Sequence, residues 1–173
     1  MSVWILRLGH RLPRDERVST HCGLVSRALG ADGIIFSGQR DKGLIESVER
    51  IVDKWGGNFK VKYEKNWGKL VKNFKNKGYF VVYLTMYGIN LPEAIGEIRG
   101  KSNLLVIIGS QKVPGDVYDF CDIQVAVGNQ PHSEIAALAV FLDRYFQGNE
   151  INKKFGGKVR IVPKRKGKEI KTN

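Results

Sequence analysis

Cysteine is nearly absent from this chain of 173 residues: only Cys22 and Cys121 occur, far apart in sequence. No disulfide framework organises such a protein, and a reducing cytoplasm is the expected compartment. Histidine is equally sparse, with His10, His21 and His132 scattered and no CxxC or HExxH spacing, so neither a structural nor a catalytic metal is expected. Apolar runs stay far below the length of a membrane span, and no membrane role is expected. The spacings G-x-G-x-x-G and G-x-x-x-x-G-K-[ST] are both missing, which disfavours dinucleotides and nucleoside triphosphates as ligands. Acidic residues are the other shortage. Asp and Glu number 17 against 29 Lys and Arg, a formal net charge of +12.

That imbalance makes RNA or DNA the first partner to consider, although a lysine-rich surface also occurs on basic proteins with no such partner. The charge is unevenly spread. Lys153, Lys154, Lys158, Arg160, Lys164, Arg165, Lys166, Lys168 and Lys171 crowd the last stretch and read as a phosphate-contacting arm. A second basic run, residues 60–77, interleaves aromatics. There Trp67, Leu70, Val71 and Phe74 fall at helical spacing, which favours core packing over base stacking.

What is present is a regular alternation of strand-like and helix-like segments. Strands are predicted at residues 3–8, 33–36, 59–63, 79–85, 104–108 and 123–127. Helices are predicted at 20–29, 44–55, 67–76, 91–98 and 135–146. Asp41 is a cap for the second helix, and Ser133 is the N-cap of the last, with Glu134 in its first turn where the helix dipole favours an acid. Such alternation specifies an α/β protein with a largely parallel sheet, and from the residues alone a flavodoxin-like strand order is the expectation. Two units are expected: residues 1–150 as the main domain, and residues 151–173 as a basic hairpin and tail.

In a parallel sheet, ligands sit beyond the carboxyl ends of the strands. Three loops follow strands there: Leu84-Thr85-Met86-Tyr87-Gly88, Gly109-Ser110-Gln111-Lys112-Val113 and Val127-Gly128-Asn129-Gln130-Pro131-His132-Ser133. They offer small residues and backbone amides beside apolar strand ends, suited to gripping an adenosine by main-chain hydrogen bonds and apolar contacts.

The second and third of these strand-loop units resemble the second and third motifs of the SPOUT superfamily, methyltransferases whose C-terminal chain forms a trefoil knot around S-adenosylmethionine. Residues 6–17 (Leu6-Arg7-Leu8-Gly9-His10-Arg11-Leu12-Pro13-Arg14-Asp15-Glu16-Arg17), with Thr20-His21, Ala28-Leu29-Gly30-Ala31-Asp32-Gly33 and the string from Val127 to Glu134, together resemble the archaeal tRNA cytidine-56 ribose 2'-O-methyltransferase family. The resemblance covers nearly the whole chain.

That resemblance implies a SPOUT-type sheet with a C-terminal knot, S-adenosylmethionine as cofactor, the T loop of tRNA as substrate, and a homodimer. It implies a cofactor pocket lined by Leu84, Gly109, Ser110, Gln111, Lys112, Val113, Val127, Gly128, Asn129, Gln130, Pro131, His132, Ser133 and Glu134. An N-terminal arginine is implied to serve the 2'-hydroxyl. Arg17, read as lying in the loop before the first helix, is the first choice, with Arg14 and Arg7 behind it. Ser133 is a further candidate for contacting substrate, and His21 and His132 are candidate bases. An enzyme acting on another RNA position and a non-catalytic RNA-binding protein remain open alternatives.

Overall fold

The computed structural model describes residues 1–109 and 113–172. Six parallel strands form the central sheet: β1 (Ser2–His10), β2 (Gly33–Gly38), β3 (Lys60–Tyr63), β4 (Phe80–Asn90), β5 (Asn103–Gly109) and β6 (Ile123–Ala126). Among the described residues, six helices accompany them: α1 (Glu16–Ala28), α2 (Lys42–Trp55), α3 (Trp67–Asn76), α4 (Leu91–Arg99), the short α5 (Val117–Phe120) and α6 (Glu134–Phe146). A 3-10 turn at Asn149–Asn152 precedes two short antiparallel strands, β7 (Val159–Ile161) and β8 (Ile170–Thr172).

The alternation of side chains along the inner strands explains the layering. In β5, Leu104, Val106 and Ile108 enter one apolar layer while Leu105 and Ile107 enter the other. In β1, Val3 and Ile5 belong to the first layer, and Leu6 and Leu8 to the second. Strands buried on both faces need helices on both sides. Cys22, Val48, Ile98 and Phe141, from α1, α2, α4 and α6, fill the first layer; Val71 of α3 and Val117 of α5 fill the second, with Trp67, Leu70 and Phe74 packed against it. The interleaved aromatics of the basic run are therefore packing groups.

The strand order β3-β2-β1-β5-β4-β6 departs from the flavodoxin-like order expected from the residues alone. Strand β5 pairs with β1 along its whole length, from Ser2 opposite Asn103 to Leu8 opposite Gly109, which displaces β4 outward. Further out, β4 pairs with β6 in a broken register: Leu84 and Ile89 both lie opposite Val125, so residues 85–88 leave the ladder and return. Gly88 makes that return possible. A Cβ there would lie 2.4 Å from the Val125 nitrogen, a separation no side chain tolerates.

Helix α1 starts four residues earlier than predicted. The Ser19 amide donates to the Asp15 carbonyl, and Glu16 places an acid in the first turn. Arg17 therefore sits in the first turn of α1, not in the preceding loop. The two predicted caps are present. Asp41 accepts from the Leu44 amide at 3.0 Å, and the Ser133 hydroxyl accepts from the Ile135 amide at 3.2 Å. Beyond α6, β7 and β8 pair Ile161 with Ile170. This unit touches the body where Gly56 bridges Gly156 and where Lys158 reaches Asp53 at 2.6 Å. Among the described residues, no helix is long and apolar enough to cross a membrane.

Candidate active site

A pocket of about 440 Å³ opens at the carboxyl ends of β4, β5 and β6. Its walls bring together Leu84, Gly109, Val113, Val127, Gln130, Pro131, His132, Ser133 and Glu134 from the three loops picked out in the sequence. The size suits a small organic ligand. Thr85, Met86 and Tyr87, from the first of those loops, line it as well, while Tyr83, Tyr118 and Ala137 complete the lining and were not foreseen. Ala137 had a readable signal, since it lies one helical turn beyond Ser133. Ser110, Gln111 and Lys112 fall outside the described residues. Gly128 and Asn129 do not line the pocket.

Asn129 instead acts behind the wall. Its side-chain amide donates to the Met86 carbonyl at 2.8 Å and to the Gly88 carbonyl at 3.0 Å, tying the loop after β6 to the excursion of β4. His132 closes its own loop: Nε2 lies 2.7 Å from the Val127 carbonyl oxygen and Nδ1 3.1 Å from that of Ser133. Both ring nitrogens thus face backbone oxygens rather than the pocket's interior. Tyr83 packs edge-to-face on Tyr118 at 5.5 Å between ring centroids. Burial, reinforced by Tyr118, pushes the Tyr83 phenol up to about 12, so it stays protonated as a hydrogen-bond donor.

Arg7, the third of the candidate arginines, is the one that reaches this region. It is fully buried in β1, and its Nη2 donates to Glu134 Oε1 at 3.0 Å while Nη1 donates to the Leu8 carbonyl. Among the described residues its Nε has no hydrogen-bond partner. Glu134, a quarter exposed, therefore presents one carboxylate to a buried cation and to the pocket at once. Next to Arg7, burial raises the Cys22 thiol to about 12, the nearby guanidinium notwithstanding.

The remaining arginine candidates lie elsewhere. Arg17 lines a separate cavity of about 440 Å³ between α1 and α2, with Thr20, His21, Asp41 and Arg50. Arg14 is exposed in the loop between β1 and α1. That loop is held from within by Asp15, whose Oδ2 accepts from the Arg11 amide at 3.1 Å and from Arg11 Nε at 3.0 Å. Burial alone would raise the Asp15 carboxyl. The hydrogen bonds and charge of Arg11, with the charge of Arg7, outweigh it and hold the carboxyl below its ordinary value. Among the described residues, no group of three or more His, Cys, Asp or Glu could hold a metal ion.

Residues 55–171 match the model of a family described as tRNA ribose 2'-O-methyltransferase, aTrm56. The tRNA (cytidine(56)-2'-O)-methyltransferase of Methanopyrus kandleri is 50% identical over 167 residues, covering 96% of this chain and 94% of the relative. Its namesake from Methanothrix thermoacetophila is 51% identical over 170 residues, covering 98% and 97%. Among solved structures, the SpoU methyltransferase AviRb from Streptomyces viridochromogenes, in complex with the cofactor AdoMet, superposes with a TM-score of 0.61 at 14% identity, covering 84% of this chain and 57% of that one. At that identity the likeness concerns the fold, which is of the SPOUT methyltransferase type.

Proposed function

We propose that this chain, which belongs to the tRNA ribose 2'-O-methyltransferase family, transfers a methyl group from S-adenosylmethionine to the ribose 2'-oxygen of cytidine 56 in the T loop of tRNA. The observation that carries this reading is identity of about half the residues with enzymes of that name across nearly the full chain. The pocket supports it chemically. Apolar walls from Leu84, Val113, Val127 and Ala137 suit an adenosine, and the polar side chains of Thr85, Gln130 and Glu134 stand ready for the amino-acid end. The broken register of β4 around Gly88 is tied to the loop after β6 by Asn129, which holds two of the pocket's walls together; the trefoil knot around them is what the family resemblance implies.

S-adenosylmethionine supplies the methyl group. The protein's share of the work is to align the 2'-oxygen with it and to stabilise that oxygen as its proton passes to water and the C–S bond to the methyl breaks, leaving S-adenosylhomocysteine. Arginine stays protonated, so Arg17 or Arg14 acts as a hydrogen-bond donor to the 2'-oxygen and a neighbouring phosphate rather than as a base. Ser133 accepts from the Ile135 amide and retains its own O–H for donation into the pocket. In one chain Arg17 lines a different cavity from this pocket. That separation favours a homodimer in which the arginine of one protomer serves its partner's pocket. The exposed Val140 on α6 offers apolar surface for such an interface. The exposed basic residues of the segment 151–173 supply phosphate contacts in this scheme.

The test is incubation with methyl-labelled S-adenosylmethionine and an unmodified tRNA transcript, followed by digestion and mapping. Label in 2'-O-methylcytidine at the T-loop position is the expected outcome. Label confined to another nucleotide would keep the reaction and refute the assigned position. Binding of tRNA and cofactor without any transfer would refute the enzyme reading in favour of a non-catalytic RNA-binding protein.

A further inference from the structure

At the carboxyl end of β1 three polar side chains meet, two of them buried and the third, Asp41, partly exposed. His10 ends the strand with 1% of its surface exposed, and Ser19, one turn into α1, is fully buried. His10 Nδ1 lies 2.8 Å from Ser19 Oγ, and Nε2, which makes no hydrogen bond among the described residues, lies 3.3 Å from Oδ2 of Asp41, the residue that caps α2. The backbone follows the same design. The Gln39 amide donates to the His10 carbonyl at 2.9 Å, and the Gln39 side chain accepts from the Leu12 amide at 2.6 Å. Gly38 lets β2 come that close, because a Cβ there would lie 2.5 Å from the His10 carbonyl oxygen.

Packing alone does not account for this cluster. Burying a histidine and a hydroxyl beside a carboxylate is costly, and an apolar side chain in place of His10 would fill the same space at lower cost. What the cluster governs is the five-residue connection that starts at Arg11 and leads into the first turn of α1. Both arginines proposed for the 2'-oxygen, Arg14 and Arg17, ride on that segment.

We propose that His10, braced by Asp41 and Ser19, is a positioning residue that sets the Arg14–Arg17 segment for methyl transfer. The inference rests on the methyl-transfer reading above. His10 itself lines neither the pocket nor the cavity that Arg17 lines; it reaches that cavity only through Asp41, so it acts on the arginines at second hand. A displacement of the segment by about 1 Å costs a reaction of this kind up to about 100-fold in rate.

The experiment uses the full-length protein with tRNA transcript. His10→Leu is expected to lower kcat by about 10- to 100-fold, while cofactor affinity, measured by equilibrium dialysis, stays at the wild-type value. His10→Gln, which keeps a polar bridge, is expected to recover part of the loss. Asp41→Asn keeps an acceptor for the Leu44 amide but removes the charge facing His10, and it is expected to lower kcat in the same way. Combined with His10→Leu it should add nothing further.

Wild-type kcat in a folded His10→Leu would overturn the proposal. So would a loss of cofactor binding in step with kcat, the mark of general destabilisation. If His10→Leu does not fold, wild-type kcat in both His10→Gln and Asp41→Asn overturns it instead. Should the wild-type protein itself fail to methylate tRNA, the reading of the reaction fails; active wild type with unaffected variants refutes this inference alone.

Discussion

Replacing Glu134 by alanine removes the only carboxylate within ion-pair distance of the buried Arg7 among the described residues. Arg7 cannot shed its charge, and its Nε is already without a partner, so the substitution leaves a cation in the sheet interior with little beyond the Leu8 carbonyl to compensate it. Breaking a buried ion pair by removing one partner costs about 3–5 kcal/mol. Because Glu134 is a quarter exposed, water reaches the gap and the lower end, about 3 kcal/mol, is expected. That is a large share of the 5–15 kcal/mol that holds a typical domain together.

Urea unfolding followed by circular dichroism measures the effect. Glu134→Ala should shift the midpoint strongly, at an unchanged slope. Arg7→Met should cost less, since it removes the buried charge and leaves a carboxylate that can turn to water. The double variant should be clearly more stable than the sum of the single effects implies. A cost below about 1 kcal/mol for Glu134→Ala, or strict additivity, would refute the assignment of Arg7 as a buried cation that depends on Glu134.

Three further predictions follow from neighbouring geometry. Asn129→Ala removes both donations to the 85–88 excursion, and should cost about 1–3 kcal/mol and weaken cofactor affinity; unchanged cofactor affinity in equilibrium dialysis would show that the excursion holds its shape without them. Half-exposed Cys121 should react with a thiol reagent at pH 8 well before Cys22, whose buried thiol is pushed up to about 12; peptide mapping that finds Cys22 alkylated first in the native protein contradicts this. Because the folded protein holds the Asp15 carboxyl below its ordinary value, that group contributes stability above about pH 4 and loses it as pH falls through the folded value. Asp15→Asn should therefore be less stable than wild type at pH 7 and approach it in acid, and a constant difference in thermal midpoint across pH would rule this out.

How far the sequence reveals this molecule differs from feature to feature. Helix α2 is legible because Leu44, Val48 and Val52 recur on one face behind a capping Asp41. Strand β5 is legible because an apolar run of that length with branched residues suits a strand covered on both faces. The order of strands is not legible, because β1 pairs equally well by local pattern with any buried parallel neighbour; only the long-range pairing with β5 decides it. Most of the pocket wall could be read from the glycine-containing loops after β5 and β6. The tyrosines could not, because Tyr83 and Tyr118 reach the pocket through the packing of β4 against α5. Arg7, already among the candidate arginines, and His10 carry a further signal. Each is a polar residue in a strand whose neighbours are apolar on both faces, and a polar group in such a place requires a built partner. Arg17 shows the opposite failure: Thr20 looked like a helix start, whereas the helix begins at Glu16, an acid in its first turn, behind an Asp15 whose side chain holds Arg11 and makes no capping bond.

The central claim is that the acceptor is a ribose oxygen, and a pair of tRNA transcripts differing by that atom tests it most directly. One carries cytidine at position 56 and the other 2'-deoxycytidine, and each is incubated with methyl-labelled S-adenosylmethionine and the full-length protein. The account predicts label on the ribose transcript and none on the deoxy transcript, with both bound equally well. Equal label on the two would contradict it, because the methyl group would then be going to an atom other than the 2'-oxygen.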